Sequence, residues 1–313
     1  MPDPAPTERA LGPVLTAAAR RLADAGVPSP RADAEALLAH ALGVDRSRLA
    51  VLVALGSAVE VPAALERLLA ERADRVPLQH LTGRAPFRGL ELLVGPGVFV
   101  PRPETEVVAG LAVEEAAALA AAGGAPVVVD LCTGSGAIAL AVATEVPAAR
   151  VHAVELDPMA RAWAQRNVEE VLAGTGAAVD LRLGDAAAAF ADLDGGVDVV
   201  VSNPPYVPPG AVPQEREVAE HDPELALYGG GPDGLEVPRA VVAAAARLLR
   251  PGGLLVFEHA EVQETSARRL VAGSAWEAAA GHRDLTGRPR ATSARRAPGP
   301  AGRRAPAVGD SLA

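Results

Sequence analysis

The stretch VVVDLCTGSGAIAL, residues 127–140, carries the clearest signal of the fold class. It opens with a short run dominated by valine, which is typical of a buried strand. A turn containing Gly134 and Gly136 follows, and the residues after it favour a helix. A strand, a glycine loop and a helix in direct succession indicate a βαβ unit. Ligands bind to such sheets at the carboxyl ends of the strands, where this loop would lie.

Strand and helix patterns alternate along the chain from this stretch onward. The predicted strands are Val127–Leu131, Arg150–Glu155, Val179–Leu183, Val197–Ser202 and Gly253–Glu258. The predicted helices between them cover roughly residues 136–146, 158–173 and 234–249. Residues 276–296 could add a final antiparallel pair. Alternation at this spacing predicts an α/β fold with a largely parallel sheet.

The preceding part of the chain has a different character. Residues 5–75 carry leucines at helical spacing with no strand pattern between them, which predicts a small helical bundle. Short β-like runs at 89–94 and 98–100, separated by Gly-Pro-Gly, predict a hairpin. We therefore expect four segments: a helical domain at 1–78, a hairpin linker at 79–100, the sheet domain at 101–296 and a disordered tail at 297–313.

Composition limits the classes of protein that fit. The chain has 313 residues, a formal net charge of −10, one cysteine, six histidines and no lysine. The acidic balance argues against broad nucleic-acid binding. A single cysteine excludes an internal disulfide, and the histidines lack metal-site spacing. No secretory leader and no apolar run of the ~18 residues of a membrane span are present. We expect a cytoplasmic protein with no metal, no membrane and no stable nucleic-acid partner.

The glycine loop alone leaves the bound ligand open. Residues 134–139, GSGAIA, also satisfy the dinucleotide fingerprint G-x-G-x-x-G/A. Glu155, at the end of the second predicted strand, can accept hydrogen bonds from two ribose hydroxyls. Nicotinamide enzymes and S-adenosylmethionine enzymes both use a carboxylate in this way, so both classes fit.

Other acidic residues lie near the same edge of the predicted sheet. Asp157 precedes Pro158 and is expected to cap the next helix. Asp185 follows the third strand, where it would either lie near an adenine or cap a helix. Asp130 is expected to brace the loop, and Glu258, at the end of the fifth strand, is a candidate for supporting the site.

The fourth predicted strand ends in an unusual tetrapeptide, Asn203-Pro204-Pro205-Tyr206. The Asn203 side-chain carbonyl and the Pro204 backbone carbonyl can accept both N–H groups of a planar –NH2, and proline brings no competing donor. The Tyr206 ring can pack on the flat group. This arrangement would aim the nitrogen at a methyl sulfonium. It favours methyl transfer over hydride transfer, although two prolines could also simply end a strand.

Four stretches together resemble the PrmC (HemK) family of release-factor glutamine methyltransferases. They are PRADAEALLAHALG at 30–43, LTGRAPFRGLELLVGPGVFVPRPETE at 81–106, NPPY at 203–206 and HDPELALYGGGPDGL at 221–235. The resemblance covers roughly residues 10–296. NPPY alone is also found in adenine amine methyltransferases of DNA and RNA and in PrmB, which methylates a ribosomal protein on glutamine. These remain the alternative functions, together with a non-catalytic binding module.

The resemblance implies a Rossmann-like methyltransferase domain with a mostly parallel seven-stranded sheet and S-adenosyl-L-methionine as donor. It implies that the acceptor is the glutamine of the Gly-Gly-Gln motif in class 1 peptide chain release factors. The catalytic and substrate-binding residues would be Asn203, Pro204, Pro205 and Tyr206. The cofactor-binding residues would be Phe99, Cys132, Thr133, Gly134, Ser135, Gly136, Glu155, Asp185 and Asn203.

Three positions depart from the family pattern. Cys132 stands where many members have glycine, and Glu155 replaces a common aspartate. Ala186 stands where some members have an aromatic residue beside adenine. All three substitutions bear on cofactor affinity.

Overall fold

The structure is a computed structural model that describes residues 8–211, 213 and 215–299, so most of the predicted tail lies outside the described residues. The helices are α1 Leu11–Asp24, α2 Pro30–Leu42, α3 Arg46–Ala54, α4 Ala64–Ala73, α5 Leu78–Thr82, α6 Thr105–Ala121, α7 Ala137–Glu145, α8 Pro158–Val171, α9 Arg216–His221, α10 Glu224–Leu227, α11 Glu236–Leu248 and α12 Glu264–Leu270. The strands are β1 Glu8–Ala10, β2 Ala58–Glu60, β3 Arg84–Phe87, β4 Leu90–Leu93, β5 Val127–Leu131, β6 Arg150–Glu155, β7 Val179–Leu183, β8 Val197–Ser202, β9 Leu249–Glu258, β10 Trp276–Arg283 and β11 Pro289–Arg296. None of the helices among these residues has the length and apolar character needed to cross a bilayer.

A seven-stranded sheet in the order β10-β11-β9-β8-β5-β6-β7 forms the centre of the molecule. The five strands from β5 to β9 run parallel, and β10 and β11 add an antiparallel edge. The predicted fold class and the predicted final pair are therefore confirmed. The chain leaves β5 toward β6 on one side and returns to β8 on the other. A crevice for ligands is expected at this switch in strand order.

Helices cover both faces of the sheet. Alternate residues of β5 face opposite layers: Val128 packs with the α6 and α7 side, and Val129 packs with the α11 side. Near-continuous valine runs are the pattern of strands buried on both faces. The packing of α6 on β8 and β9 places the first residue of this helix, Thr105, near the carboxyl ends of those strands.

The region before the sheet has a separate apolar core formed by leucines of the helices. The prediction of no strand there is wrong, because β1 pairs antiparallel with β2. These strands have only three residues each and are mostly exposed, so they lack the apolar alternation that identifies a strand. The boundaries at residues 78 and 100 stay predictions.

The hairpin also differs from its prediction. Its strands are β3 and β4, joined through Arg88 and Gly89, whereas residues 98–100 form no strand. The valines at both ends of that stretch are nevertheless buried, in a small cluster with Ala160. Prolines at 96 and 101 flank the stretch and cannot donate to a β-ladder. Side-chain burial therefore produced a strand-like pattern without backbone pairing.

A buried group of ion pairs joins the helical bundle to α9, the short helix that follows the NPPY segment. Arg72 on α4 contacts Asp33 at 2.7 Å and Glu217 at 2.9 Å, and Arg75 contacts Glu217 at 2.6 Å. Burial raises the pKa of Glu217, but the hydrogen bonds from Arg75 and Arg72 outweigh it and hold this pKa at about 2. The bundle thus fixes the position of the chain segment beyond NPPY.

We predict that Arg72→Ala lowers the free energy of unfolding by about 3 kcal/mol, because Asp33 loses its buried partner and Glu217 loses one of two. The control is Arg67→Ala on the same helix. The Arg67 side chain is 64% exposed and pairs with Glu71, so its loss should cost less than about 0.5 kcal/mol. Urea unfolding of both variants measures the difference, and equal losses would contradict the assignment.

Candidate functional site

A cavity of about 740 Å³ lies at the carboxyl ends of the parallel strands. Eleven of the sequence-predicted site residues line it: Phe99, Cys132, Thr133, Gly134, Ser135, Glu155, Asp185, Asn203, Pro204, Pro205 and Tyr206. Gly136 does not line the cavity. It has φ +84° and precedes α7, where it turns the chain from the loop into the helix. The fold therefore places the glycine loop and the NPPY segment at the same cavity.

The backbone of the glycine loop has three residues in the left-handed region. Gly134 has φ +58°, and a Cβ added there would meet nothing within 4 Å, so the conformation rather than crowding calls for glycine. Cys132 has φ +62°, which costs a non-glycine residue about 1 kcal/mol. Glycine at position 132 would adopt this φ without that cost. Burial raises the pKa of the Cys132 thiol, so the thiol stays protonated and is a poor nucleophile.

Asp130 braces the loop from beneath, as expected. One of its carboxylate oxygens accepts hydrogen bonds from the Thr133 hydroxyl at 2.6 Å and the Ala139 N–H at 3.1 Å. The side chain is fully buried, and burial raises its pKa to about 7. Its other oxygen, Oδ1, has no protein partner in the described part of the chain.

Glu155 is tied to the glycine loop, which the sequence did not indicate. Its carboxylate accepts the N–H of Gly134 at 2.8 Å, of Leu156 at 2.8 Å and of Asp157 at 2.9 Å. Burial raises the pKa of Glu155, and these three donors oppose that rise. A carboxylate offers about four acceptor positions. One position therefore remains free, and a contact with two ribose hydroxyls requires one backbone bond to be given up.

The two nearby aspartates have local backbone partners. Asp157 caps α8 by accepting the Met159 N–H at 2.7 Å, which confirms its predicted role. Asp185 accepts the Ala187 N–H at 2.8 Å. A turn rather than a helix follows Asp185, so the helix-cap alternative is wrong, and its carboxylate also borders the cavity.

At the other end of the cavity a hydrogen-bonded chain joins four side chains. The Asn203 amide nitrogen donates to the Thr105 hydroxyl at 3.1 Å, and Thr105 donates to Glu258 at 2.8 Å. The Tyr206 hydroxyl donates to the other oxygen of Glu258 at 3.1 Å. Burial raises the pKa of Glu258 to about 7 and also raises the pKa of Tyr206. Sequence reasoning missed Thr105, although it lies within the PRPETE motif at the start of a helix.

The stretch at 221–235 and Gln263 hold the backbone of the NPPY segment. Tyr206 donates its N–H to the Leu227 carbonyl at 3.1 Å, and its own carbonyl accepts from Gln263 at 2.8 Å. A Cβ on Gly229 would collide with the carbonyl oxygens of Gly234 and Pro205, so the close approach needs glycine. The Asn203 Oδ1 atom and the Pro204 carbonyl oxygen accept no hydrogen bond from any described residue. The site thus offers two rigid, unpaired acceptors.

Family profiles match both parts of the chain. The profile described as PrmC N-terminal domain matches residues 14–83. The profile described as Methyltransferase small domain matches residues 115–219.

Similar curated proteins span nearly the same length. A release factor glutamine methyltransferase of Streptomyces coelicolor is 52% identical over 90% of this chain and 96% of its own. One of Mycolicibacterium smegmatis is 50% identical over 91% and 98%. A 4-amino-L-phenylalanine/4-methylamino-L-phenylalanine methyltransferase of Streptomyces pristinaespiralis is 42% identical over 83% and 86%.

We predict that Glu155→Ala weakens the binding of S-adenosylhomocysteine at least about tenfold, because the loop loses its anchor and the ligand loses a charged acceptor. Asp192→Asn is the control, since this carboxylate lies beyond β7 and does not line the cavity. Calorimetric titration measures both affinities. Unchanged binding by Glu155→Ala would contradict the assigned role.

Proposed function

Because the chain belongs to the release factor glutamine methyltransferase family, we propose that it methylates the glutamine side-chain amide in the Gly-Gly-Gln motif of class 1 peptide chain release factors. The observation that carries the proposal is the pair of unpaired acceptors on Asn203 and Pro204, at the rim of a cavity that also contains the glycine loop. A primary amide has two N–H donors in one plane, which matches two fixed acceptors.

The family membership confirms the resemblance identified in the sequence. The chain is an S-adenosyl-L-methionine-dependent methyltransferase, so the nicotinamide alternative is set aside.

The residues at the glycine-loop end of the cavity suit this methyl donor. The donor supplies a methyl group on a positively charged sulfur, and its carbon–sulfur bond breaks as the new carbon–nitrogen bond forms. Glu155 keeps one acceptor position for a ribose hydroxyl, and the carboxylate of Asp185 borders the same space. The open space beside Gly134 allows close approach of a ligand to the backbone. Phe99 lines the cavity as an apolar wall, with its ring 4.9 Å from the Arg102 guanidinium carbon.

The NPPY segment would position the glutamine amide. Asn203 Oδ1 and the Pro204 carbonyl each accept one amide N–H, which directs the nitrogen away from the segment and toward the methyl donor. Positive charge develops on nitrogen during transfer, so both hydrogen bonds strengthen in the transition state. The surplus proton leaves the product amide for solvent water. The prolines keep the acceptors rigid, so little ordering entropy is lost on binding.

Labelled S-adenosylmethionine tests the proposed acceptor. We predict transfer of label to an intact bacterial class 1 release factor and none to its Gln→Ala variant in the Gly-Gly-Gln loop. Parallel reactions contain ribosomal protein, RNA, DNA and 4-amino-L-phenylalanine, because relatives or NPPY proteins act on such amines and amides. Label on one of these alone would contradict the proposal and identify the true acceptor.

Asn203→Ala tests the mechanism. We predict a loss of at least about 100-fold in kcat, because one transition-state acceptor is removed, with nearly unchanged binding of S-adenosylhomocysteine. Gln165→Ala, which removes an amide on α8 outside the cavity, is the control and should keep its rate. Full turnover by Asn203→Ala would refute the positioning mechanism.

A further inference from the structure

We propose that Thr105 and Glu258 are positioning residues that fix the direction of the Asn203 amide and thereby keep its oxygen turned toward the substrate. The inference rests on the proposed function and adds to it the groups that prepare the acceptor. Thr105 begins α6, Asn203 follows β8, and Glu258 ends β9. Ser202 is paired with Phe257 in the ladder, so Asn203 and Glu258 are neighbours at the sheet edge.

The orientation of the Asn203 amide depends on which neighbouring groups can donate a hydrogen bond. An ionised carboxylate only accepts, so the single hydroxyl hydrogen of Thr105 must point at Glu258, 2.8 Å away. The Thr105 oxygen then has only lone pairs for Asn203, which must present its nitrogen at 3.1 Å. The amide oxygen is consequently left for the substrate. The orientation of the Asn203 amide therefore follows from which atoms carry a hydrogen to donate.

The Glu258 carboxylate also fixes the position of Tyr206, on the other side of the site. Tyr206 directs its hydroxyl hydrogen to the second oxygen of Glu258 at 3.1 Å. Gln263 donates to the Tyr206 carbonyl at 2.8 Å, so the ring and the backbone of this residue are both held. Glu258 is 2% exposed, and the two hydroxyl donors satisfy a charge that would otherwise be costly to bury.

Protonation of Glu258 would remove the constraint that fixes the Asn203 amide. A carboxylic acid can donate to the Thr105 oxygen, which frees the threonine hydrogen to donate to Asn203. The amide can then rotate to present its oxygen to Thr105 and its –NH2 to the substrate. Two N–H donors would face each other, and the substrate amide would lose an acceptor. The ionised form of Glu258 is therefore the one that enforces the competent orientation, whereas the protonated form permits both orientations.

The groups around Glu258 place its protonation near neutral pH. Burial raises its pKa to about 7, while the Thr105 and Tyr206 hydrogen bonds and the charge of Arg290 oppose the rise and Glu104 adds to it. Arg290 is shared with Asp284 at 3.3 Å. His259, the next residue, contacts Thr292 at 3.0 Å instead. Because the competent form is deprotonated, kcat should rise as the pH increases through about 7.

Paired substitutions at Thr105 separate the hydroxyl from the shape of the side chain. Thr105→Val keeps the shape without the hydroxyl, and Thr105→Ser keeps the hydroxyl. We expect Thr105→Val to lower kcat at least about tenfold and to weaken binding of a Gly-Gly-Gln peptide in the presence of S-adenosylhomocysteine by a similar factor. Thr105→Ser should stay within about threefold of wild type in both assays. Calorimetry with S-adenosylhomocysteine alone should give near-wild-type affinity for both variants.

The pH profile of kcat gives a measurement that a purely structural role would not move. Wild type should show an acidic limb near pH 7, Glu258→Gln should show a low rate without that limb, and Arg290→Gln should shift the limb to higher pH because a positive charge is lost. If Thr105→Val loses S-adenosylhomocysteine binding, the pH profile still tests the roles of Thr105 and Glu258, because it does not depend on that variant.

Three results would overturn the inference. Wild-type rates in Thr105→Val would do so, as would equal losses in the valine and serine variants. A profile unchanged by Glu258→Gln would do so as well. In each case wild type still labels the release factor, and the proposed function stands. Absence of label with wild type would overturn both together.

Discussion

The parallel pairing of β5 with β8 is the constraint on which the site depends. Leu131 stands opposite Ser202 in this ladder, and the Ser202 hydroxyl donates to the Leu131 carbonyl at 2.6 Å. The next residue on each strand begins a functional segment: the glycine loop on one and Asn203 on the other. Because the sheet is buried on both faces, a slip of register by one residue would move side chains from one packed layer to the other and disrupt both. The distance between donor loop and acceptor segment is therefore fixed by the core.

Carboxylates that line or brace the cavity stabilise its two ends in different ways. Asp130 holds the glycine loop through the Thr133 hydroxyl and Glu155 holds it through the Gly134 N–H, whereas Glu258 accepts from the hydroxyls of Thr105 and Tyr206. Burial raises the pKa of all three. Such groups cost free energy in the folded state unless they are hydrogen-bonded, and each one here accepts at least two hydrogen bonds, although Oδ1 of Asp130 has no partner in the described part of the chain. Because these carboxylates lie at the cavity, the hydrogen bonds that offset their burial also fix the positions of the residues that form the site.

Sequence patterns predicted the sheet and its ligand edge because valine periodicity, glycine turns and strand ends are local properties. The contacts of Thr105 could not be predicted in this way, since Asn203 and Glu258 come together with it only when α6 packs on β8 and β9. The same limitation applies to β1 and β2, whose pairing joins distant three-residue segments. Residues 98–100 show the converse, because burial without a ladder produced the apolar pattern of a strand.

The position of the methyl group on the acceptor distinguishes the proposed reaction from its alternatives. Tandem mass spectrometry of a class 1 release factor, after reaction with the protein and S-adenosylmethionine, assigns the modification to a residue and to its side chain. We predict one methyl group on the side-chain nitrogen of the glutamine in the Gly-Gly-Gln motif. A methyl group on another residue, or an unmodified release factor beside a methylated amine of a different class, would contradict it.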